Sequence, residues 1–170
     1  FTRPATFGPD TEYFLSGEIS REDEPEFLLD TLGFETGFSR IINDDLTLRV
    51  GGGGLRAREE TELETREFTL LTLPLDATLE RRDEPTDATS GYYIDLNATP
   101  FISTDGEISG TRLFGDARTY LTVGESEALT FAGRLLVGSF LGAVLLEAPA
   151  DFLFYSVGGG TVRGEPYQSL

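Results

Sequence analysis

The sequence predicts an all-β protein built from antiparallel strands. Apolar and polar residues alternate with a period of two almost from end to end, and no segment shows a convincing helical period. Turn-forming residues separate the alternating segments, as at Asn43–Asp45 and over residues 82–91. These observations indicate about seven strands, joined in chain order as a meander over residues 11–141.

The first three predicted strands come before residue 53. In each strand apolar residues, glycines or, at one position, a threonine occupy every second position, with mostly charged, hydroxyl-bearing or glycine residues between them. One face of the three strands consists of Tyr13, Leu15, Gly17 and Ile19, then Leu32, Phe34, Thr36 and Phe38, then Leu46, Leu48, Val50 and Gly52. The turn chemistry of Asn43–Asp45 joins the second strand to the third.

The next four predicted strands are longer and alternate more regularly. Pro74 interrupts the first of them, and a central strand tolerates proline badly because proline has no N–H for the ladder. Their apolar faces are Leu71, Leu73, Leu75, Ala77 and Leu79, then Tyr92, Ile94, Leu96 and Ala98, then Leu113, Gly115, Ala117, Thr119, Leu121 and Val123, then Leu129, Phe131, Gly133, Leu135 and Val137.

Two architectures fit this alternation. A soluble β-sandwich packs one face of each strand into a core, whereas a membrane barrel turns one face to lipid and the other to a wet lumen. Strands of about ten or more residues suit a tilted membrane span. Charged residues near mid-strand also suit a lumen wall, namely Arg112, Asp116, Arg118 and Arg134, while Tyr13, Tyr92 and Tyr120 lie near strand ends as in an interfacial aromatic belt. Strand pattern alone leaves both architectures open.

The composition excludes several functions. The chain has 13 basic residues, all of them Arg, against 30 acidic ones, for a net charge of -17. This charge repels nucleic acid, so we expect no nucleic-acid partner. Because Cys, His and Lys are absent, thiolate and imidazole metal sites, Ser-His-Asp triads and Schiff bases are excluded. We therefore expect no enzyme activity, no cofactor and no metal. No apolar run reaches the roughly 18 residues of a transmembrane helix.

The alternation ends at residue 142. The segment 142–170 contains Pro149, the glycines Gly158, Gly159 and Gly160, and then Val162, Arg163 and Gly164. Glycine permits close backbone approach, and an Arg held in a confined site can pair in bidentate fashion with a carboxylate. The segment is predicted to be a long packed loop.

This loop resembles the sixth extracellular loop of the bacterial surface-antigen superfamily, the barrels of BamA, TamA and the two-partner-secretion transporters. The resemblance rests on Val162-Arg163-Gly164 after the glycine run, and Tyr167–Leu170 is similar to the continuation in TamA-like members. Residues 1–10 and 68–103 also resemble family strands and turns. Glu165 stands where the family has an aromatic residue.

The resemblance implies that residues 1–170 are part of an outer-membrane β-barrel domain, with strands at about 11–141 and a lumen loop at 142–170. It implies a bacterial outer-membrane protein that inserts or translocates proteins by strand augmentation at a lateral seam, most similar to TamA. The implied partners are membrane lipid, nascent outer-membrane or secreted β-proteins, periplasmic POTRA domains and an inner-membrane or periplasmic assembly factor. It also implies that Arg163 is a structural latch for the loop. The alternative for Arg163 is an exposed loop arginine. The alternative for the whole chain is a soluble acidic β-sandwich that acts as a binding module.

Two further motifs have simpler interpretations. The run Gly51–Gly54 lacks the Lys and the following helix of a phosphate-binding loop, so we expect a bulge or bend in a barrel wall. The acidic segments 21–26 and 58–64 do not have the ligand spacing of a calcium-binding loop, and solvated charged loops are expected there.

Overall fold

The structure is a computed structural model that describes residues 1–24, 27–61, 65–104, 108–124 and 129–142. No helix occurs among these residues, and hence none that is long and apolar enough to cross a membrane. The strands are β1 (Thr2–Arg3), β2 (Thr11–Glu24), β3 (Phe27–Ile41), β4 (Leu46–Thr61), β5 (Thr65–Thr72), β6 (Leu75–Arg82), β7 (Gly91–Ser103), β8 (Ser109–Val123) and β9 (Leu129–Leu141).

All nine strands form one antiparallel sheet. Its order is β1-β2-β3-β4-β5-β7-β8-β9, and β6 also lies between β4 and β7. The predicted all-β meander is therefore confirmed. A sandwich needs two sheets packed face to face, and the described part of the chain forms a single sheet.

Strands β5 and β6 continue one another in the same register. Gly53 of β4 lies opposite Thr72, and Val50 lies opposite Leu75, so the offset between the strands does not change across the break. The break falls at Pro74, which cannot donate a ladder hydrogen bond. Its carbonyl still accepts one from the N–H of Gly51 at 2.9 Å. The proline thus removes a donor but leaves the strand in place, and the long strands match the seven that were predicted.

The strands extend further than predicted at one end of the sheet. Strand β2 runs to Glu24 and β4 to Thr61, so the two acidic segments expected as loops lie largely in strands. Charges on neighbouring strands pair there: Arg21 lies 3.7 Å from Asp30. We call this end, where β2 joins β3, β4 joins β5 and β7 joins β8, the hairpin end.

The opposite end, which we call the turn end, holds the turns at 42–45 and 83–90. In the first, the Asn43 side-chain oxygen accepts hydrogen bonds from the N–H groups of Asp45 and Leu46 at 3.0 and 2.9 Å. In the second, the Asp83 carboxylate accepts bonds from the Thr89 hydroxyl and from the backbone N–H groups of Thr89 and Ser90. These bonds favour the ionised form and hold the pKa of Asp83 well below its ordinary value.

Candidate functional site

The strand register separates the side chains into two faces. Residues directly opposite one another on paired strands point to the same side of a sheet. Asp76 lies opposite Arg49 and Asn97, and we call their side the inner face. Leu75 lies opposite Val50 and Ala98, and we call their side the outer face.

The outer face is apolar and exposed. Its exposed large side chains on the long strands are Leu15, Ile19, Leu32, Phe34, Phe38, Leu48, Val50, Leu71, Leu75, Tyr92, Leu96, Ile102, Leu121, Val123, Leu129, Phe131, Leu135, Val137 and Leu141. The buried side chains of the described residues all lie on the inner face, among them Phe14, Leu70, Phe101 and Asp116. Soluble monomers rarely expose so large a contiguous apolar surface. Lipid is the environment that this face fits.

Charged residues bound the apolar outer face at both ends. At the hairpin end Arg56 pairs with Glu67 at 3.3 Å, and at the turn end Arg81 pairs with Asp45 at 2.8 Å. On β4 the outer face is free of charge from Leu46 to Gly54, about 27 Å along the strand at ~3.4 Å per residue. A tilt of about 40° reduces this to a height of about 21 Å, close to the roughly 25 Å apolar band of membrane barrels.

Two of the three tyrosines considered for an interfacial belt lie on the outer face at the turn end. Tyr13 contacts Phe38 with ring centroids 5.6 Å apart, and the Tyr92 hydroxyl accepts a hydrogen bond from Arg81 at 3.2 Å. Tyr120 lies opposite Gly91, in the row of inner-face residues. The assignment of Tyr120 to an outer belt is wrong, because its neighbour Leu121 points outward and adjacent residues of a strand point to opposite faces.

Three of the four charged residues singled out from the sequence meet on the inner face. The Asp116 carboxylate, 6% exposed, accepts hydrogen bonds from Nη2 of Arg118 at 2.6 Å and from Nη2 of Arg134 at 2.8 Å. Arg118 and Arg134 lie directly opposite each other on β8 and β9. One carboxylate thus bridges two guanidinium groups that would otherwise repel, and it ties the two strands together.

The fourth residue, Arg112, lies nearer the hairpin end and lines a separate concavity, the inner groove. The inner groove is lined by Ser16, Glu18, Glu35, Arg49, Thr72, Asp76, Asp95, Asn97, Thr99 and Arg112, together with neighbouring glycine and apolar residues. Arg49 donates to Glu35 at 2.6 Å, and its guanidinium carbon lies 3.8 Å from the centre of the Phe14 ring. Side chains of both signs make this groove polar and charged. Among the described residues no group of three acidic side chains could hold a metal ion.

Glycines let β3 and β4 pack closely beneath Phe14. A Cβ on Gly37 would lie 2.1 Å from the Val50 carbonyl oxygen and 2.8 Å from the Phe14 ring. In the run Gly51–Gly54 the register continues without an extra residue, so the expected bulge is wrong. These glycines instead make room for neighbours, since a Cβ on Gly53 would lie 2.5 Å from a backbone oxygen of β3.

The inner face becomes apolar at the hairpin end. Leu29, Ala57 and Phe68 form a buried cluster, and Ile108 packs against it. This cluster was not predicted from the sequence. The sequence signal for it is that the apolar and polar positions of β4 exchange faces after Gly54, so that Arg56 points outward and Ala57 inward. At this end of the sheet, β3, β4 and β5 therefore turn apolar residues toward the inner face.

The loop motif lies outside the described residues. This holds for Gly158, Gly159 and Gly160 and for Val162, Arg163 and Gly164. The latch role of Arg163, and the boundary of the loop within residues 142–170, stay predictions.

A family model described as the Omp85 superfamily domain matches residues 1–170. A search of curated proteins found no match.

Proposed function

The chain belongs to the Omp85 superfamily, whose members are outer-membrane barrels that assemble or translocate proteins, and we propose that this chain is the barrel wall of such a factor in a bacterial outer membrane. The observation that supports this most directly is the exposed apolar outer face between two charged rims. Lipid covers that face, while the charged inner face borders a wet lumen.

Within the superfamily, we propose a BamA/TamA type of action, with a TamA-like protein favoured over a two-partner transporter. The chemistry is binding and needs no catalytic residue. A backbone N–H or C=O without a partner is costly in lipid, so a weakly paired strand edge attracts an incoming strand. Pairing at a lateral seam then lowers the barrier for a nascent β-protein to insert. Periplasmic POTRA domains and an inner-membrane or periplasmic factor deliver that client.

Arg163 has a separate role in this proposal. It acts as a latch that holds the loop of residues 142–170 against acidic side chains of the barrel. Guanidinium binds carboxylate in a bidentate manner that an ammonium group cannot reproduce. We therefore expect Arg163→Lys to lose most of the latch function, as Arg163→Ala does, although the lysine keeps the positive charge.

The proposed function is tested by reconstitution of the full-length protein in lipid vesicles. An unfolded eight-stranded outer-membrane protein is added, and its folded fraction is followed over time by gel mobility without heating. We expect faster folding than in empty vesicles, with slower folding for Arg163→Ala. Equal rates with and without the protein would contradict an assembly role. Release of a secreted β-protein across the vesicle membrane, with no gain in insertion, would favour the two-partner class.

A further inference from the structure

An apolar groove crosses the outer face and opens at the turn end. Its floor includes one row of the sheet, formed by Phe38, Val50, Leu75, Ala98 and Leu113 on five adjacent strand positions. At a strand spacing of about 4.8 Å this row spans about 19 Å, which suits an extended acyl chain. We call it the outer groove, and its mouth is formed by residues 7–11 with Arg40 and Ile42.

The mouth carries an arginine without a partner. Arg40 is exposed on the outer face, and its side chain makes no hydrogen bond, ion pair or ring contact with any described residue. Arg3 lies at the same end of the outer face, and its side chain also makes no such contact with a described residue. In contrast, Arg56 and Arg81, which also point outward, are both paired with carboxylates. Asp10 lies at the same mouth, but it forms no ion pair with Arg40.

A strained turn places an aromatic ring at the same groove mouth as Arg40. Ala5 and Phe7 have φ of 55° and 63°, a region that side chains other than glycine rarely adopt. The turn is held by a hydrogen bond from the Thr6 N–H to the Thr11 carbonyl at 2.8 Å. It leaves Phe7 90% exposed, with its ring 5.7 Å from that of Phe38. A strained turn that exposes a phenyl ring fits a partner with both an apolar and a polar part.

We propose that the outer groove and its mouth bind a phospholipid. Arg40 and Arg3 bind the phosphate, because guanidinium forms paired hydrogen bonds to phosphate oxygens. Phe7 and Phe38 lie at the boundary between headgroup and acyl region, where aromatic side chains are enriched. The row from Phe38 to Leu113 holds an acyl chain. This proposal rests on the outer face meeting lipid, as proposed above. It adds a defined position for one lipid headgroup.

The test is native mass spectrometry of the full-length protein, released from detergent after titration with phosphatidylglycerol. Each arginine near an anionic lipid surface contributes about a fivefold preference, so Arg3→Gln with Arg40→Gln should weaken lipid retention about 25-fold. The matched control is Arg21→Gln with Arg56→Gln, which removes two outward arginines at the hairpin end and should change retention less than twofold. Asp10→Asn should retain lipid as well as the parent or better.

Equal losses in the test and control variants, or no loss in either, would overturn the site. Stronger retention of lipid A than of phosphatidylglycerol would overturn the phospholipid assignment. Should the double variant not fold, Arg40→Gln alone gives the same comparison against Arg56→Gln, since Arg40 has no partner to lose. Gel mobility reports barrel folding separately. A folded protein that retains the lipid yet does not accelerate client folding would contradict the assembly role and leave the lipid site standing.

Discussion

Replacing Leu96 by arginine tests which face of the wall meets lipid. Leu96 is 54% exposed on the outer face, opposite Ala77 and Gly115, near the middle of the apolar stretch of β7. An arginine on the lipid face of a membrane barrel costs about 2–4 kcal/mol at mid-depth. On the surface of a soluble protein the same change stays within about 0.5 kcal/mol. The two environments therefore predict clearly different free energies of unfolding.

Asn97→Arg is the matched control, because Asn97 is the next residue in β7 and lies on the inner face. Its side chain donates a hydrogen bond to Asp76, and a guanidinium there would find the same carboxylate. We expect a loss below about 1 kcal/mol. The assay is a urea titration of the full-length protein refolded in lipid vesicles, read by gel mobility. A small effect for Leu96→Arg with a large one for Asn97→Arg would mean that the faces are reversed.

Three other predictions use the same titration or a local probe. Asp116→Asn removes the charge shared by Arg118 and Arg134 and should raise the free energy of the folded state by about 1–3 kcal/mol. Asp30→Asn, in the exposed pair with Arg21, should cost less than about 1 kcal/mol. Equal costs would contradict the bridging role of Asp116. Gly37→Ala should cost at least about 2 kcal/mol, because the new Cβ would clash with backbone atoms of β4. Gly52→Ala is the control and should cost under about 0.5 kcal/mol, because no atom lies within 4 Å of its Cβ position. A harmless Gly37→Ala would refute the close packing of β3 and β4. Folding lowers the pKa of Asp83, so its ionised carboxylate stabilises the folded turn. This stabilisation is complete above about pH 4 and is lost as pH falls from there through the lower folded pKa. The protection factors of the Thr89 and Ser90 amides, which compare the exchange rate with the intrinsic rate at the same pH, should therefore be lower at pH 3 than at pH 7. Asp83→Asn should show low protection factors at both pH values. Equal protection factors at pH 3 and pH 7 in the parent protein would contradict this.

Periodicity was sufficient to predict the fold class and the two faces. A strand places alternate side chains on opposite sides, so the contrast between Leu113 and Arg112 shows directly in the sequence. The extension of β2 and β3 at the hairpin end was not predictable in this way. Charged residues such as Arg21 look like loop residues until the register shows them paired with a neighbouring strand, as Arg21 is with Asp30.

The inner-face cluster could be predicted only in part. Asp116, Arg118 and Arg134 were recognisable as charged positions on one face, but their contact depends on the offset between β8 and β9. That offset is set by the connection between the strands, and alternation carries no information about it. For the same reason the close approach of Gly37 to Val50 requires the three-dimensional register.

Accessibility of consecutive positions along β7 tests the central claim most directly. Residues 1–170 contain no Cys, so within this segment a single Cys introduced at each of positions 94–99 reports on that position alone. With the full-length protein in vesicles, a water-soluble maleimide should label the inner-face positions 95, 97 and 99 and leave the outer-face positions 94, 96 and 98 unlabelled. Labelling of positions 94, 96 and 98 as fast as the others would mean that the outer face meets water, and the sheet would not be the wall of a membrane barrel.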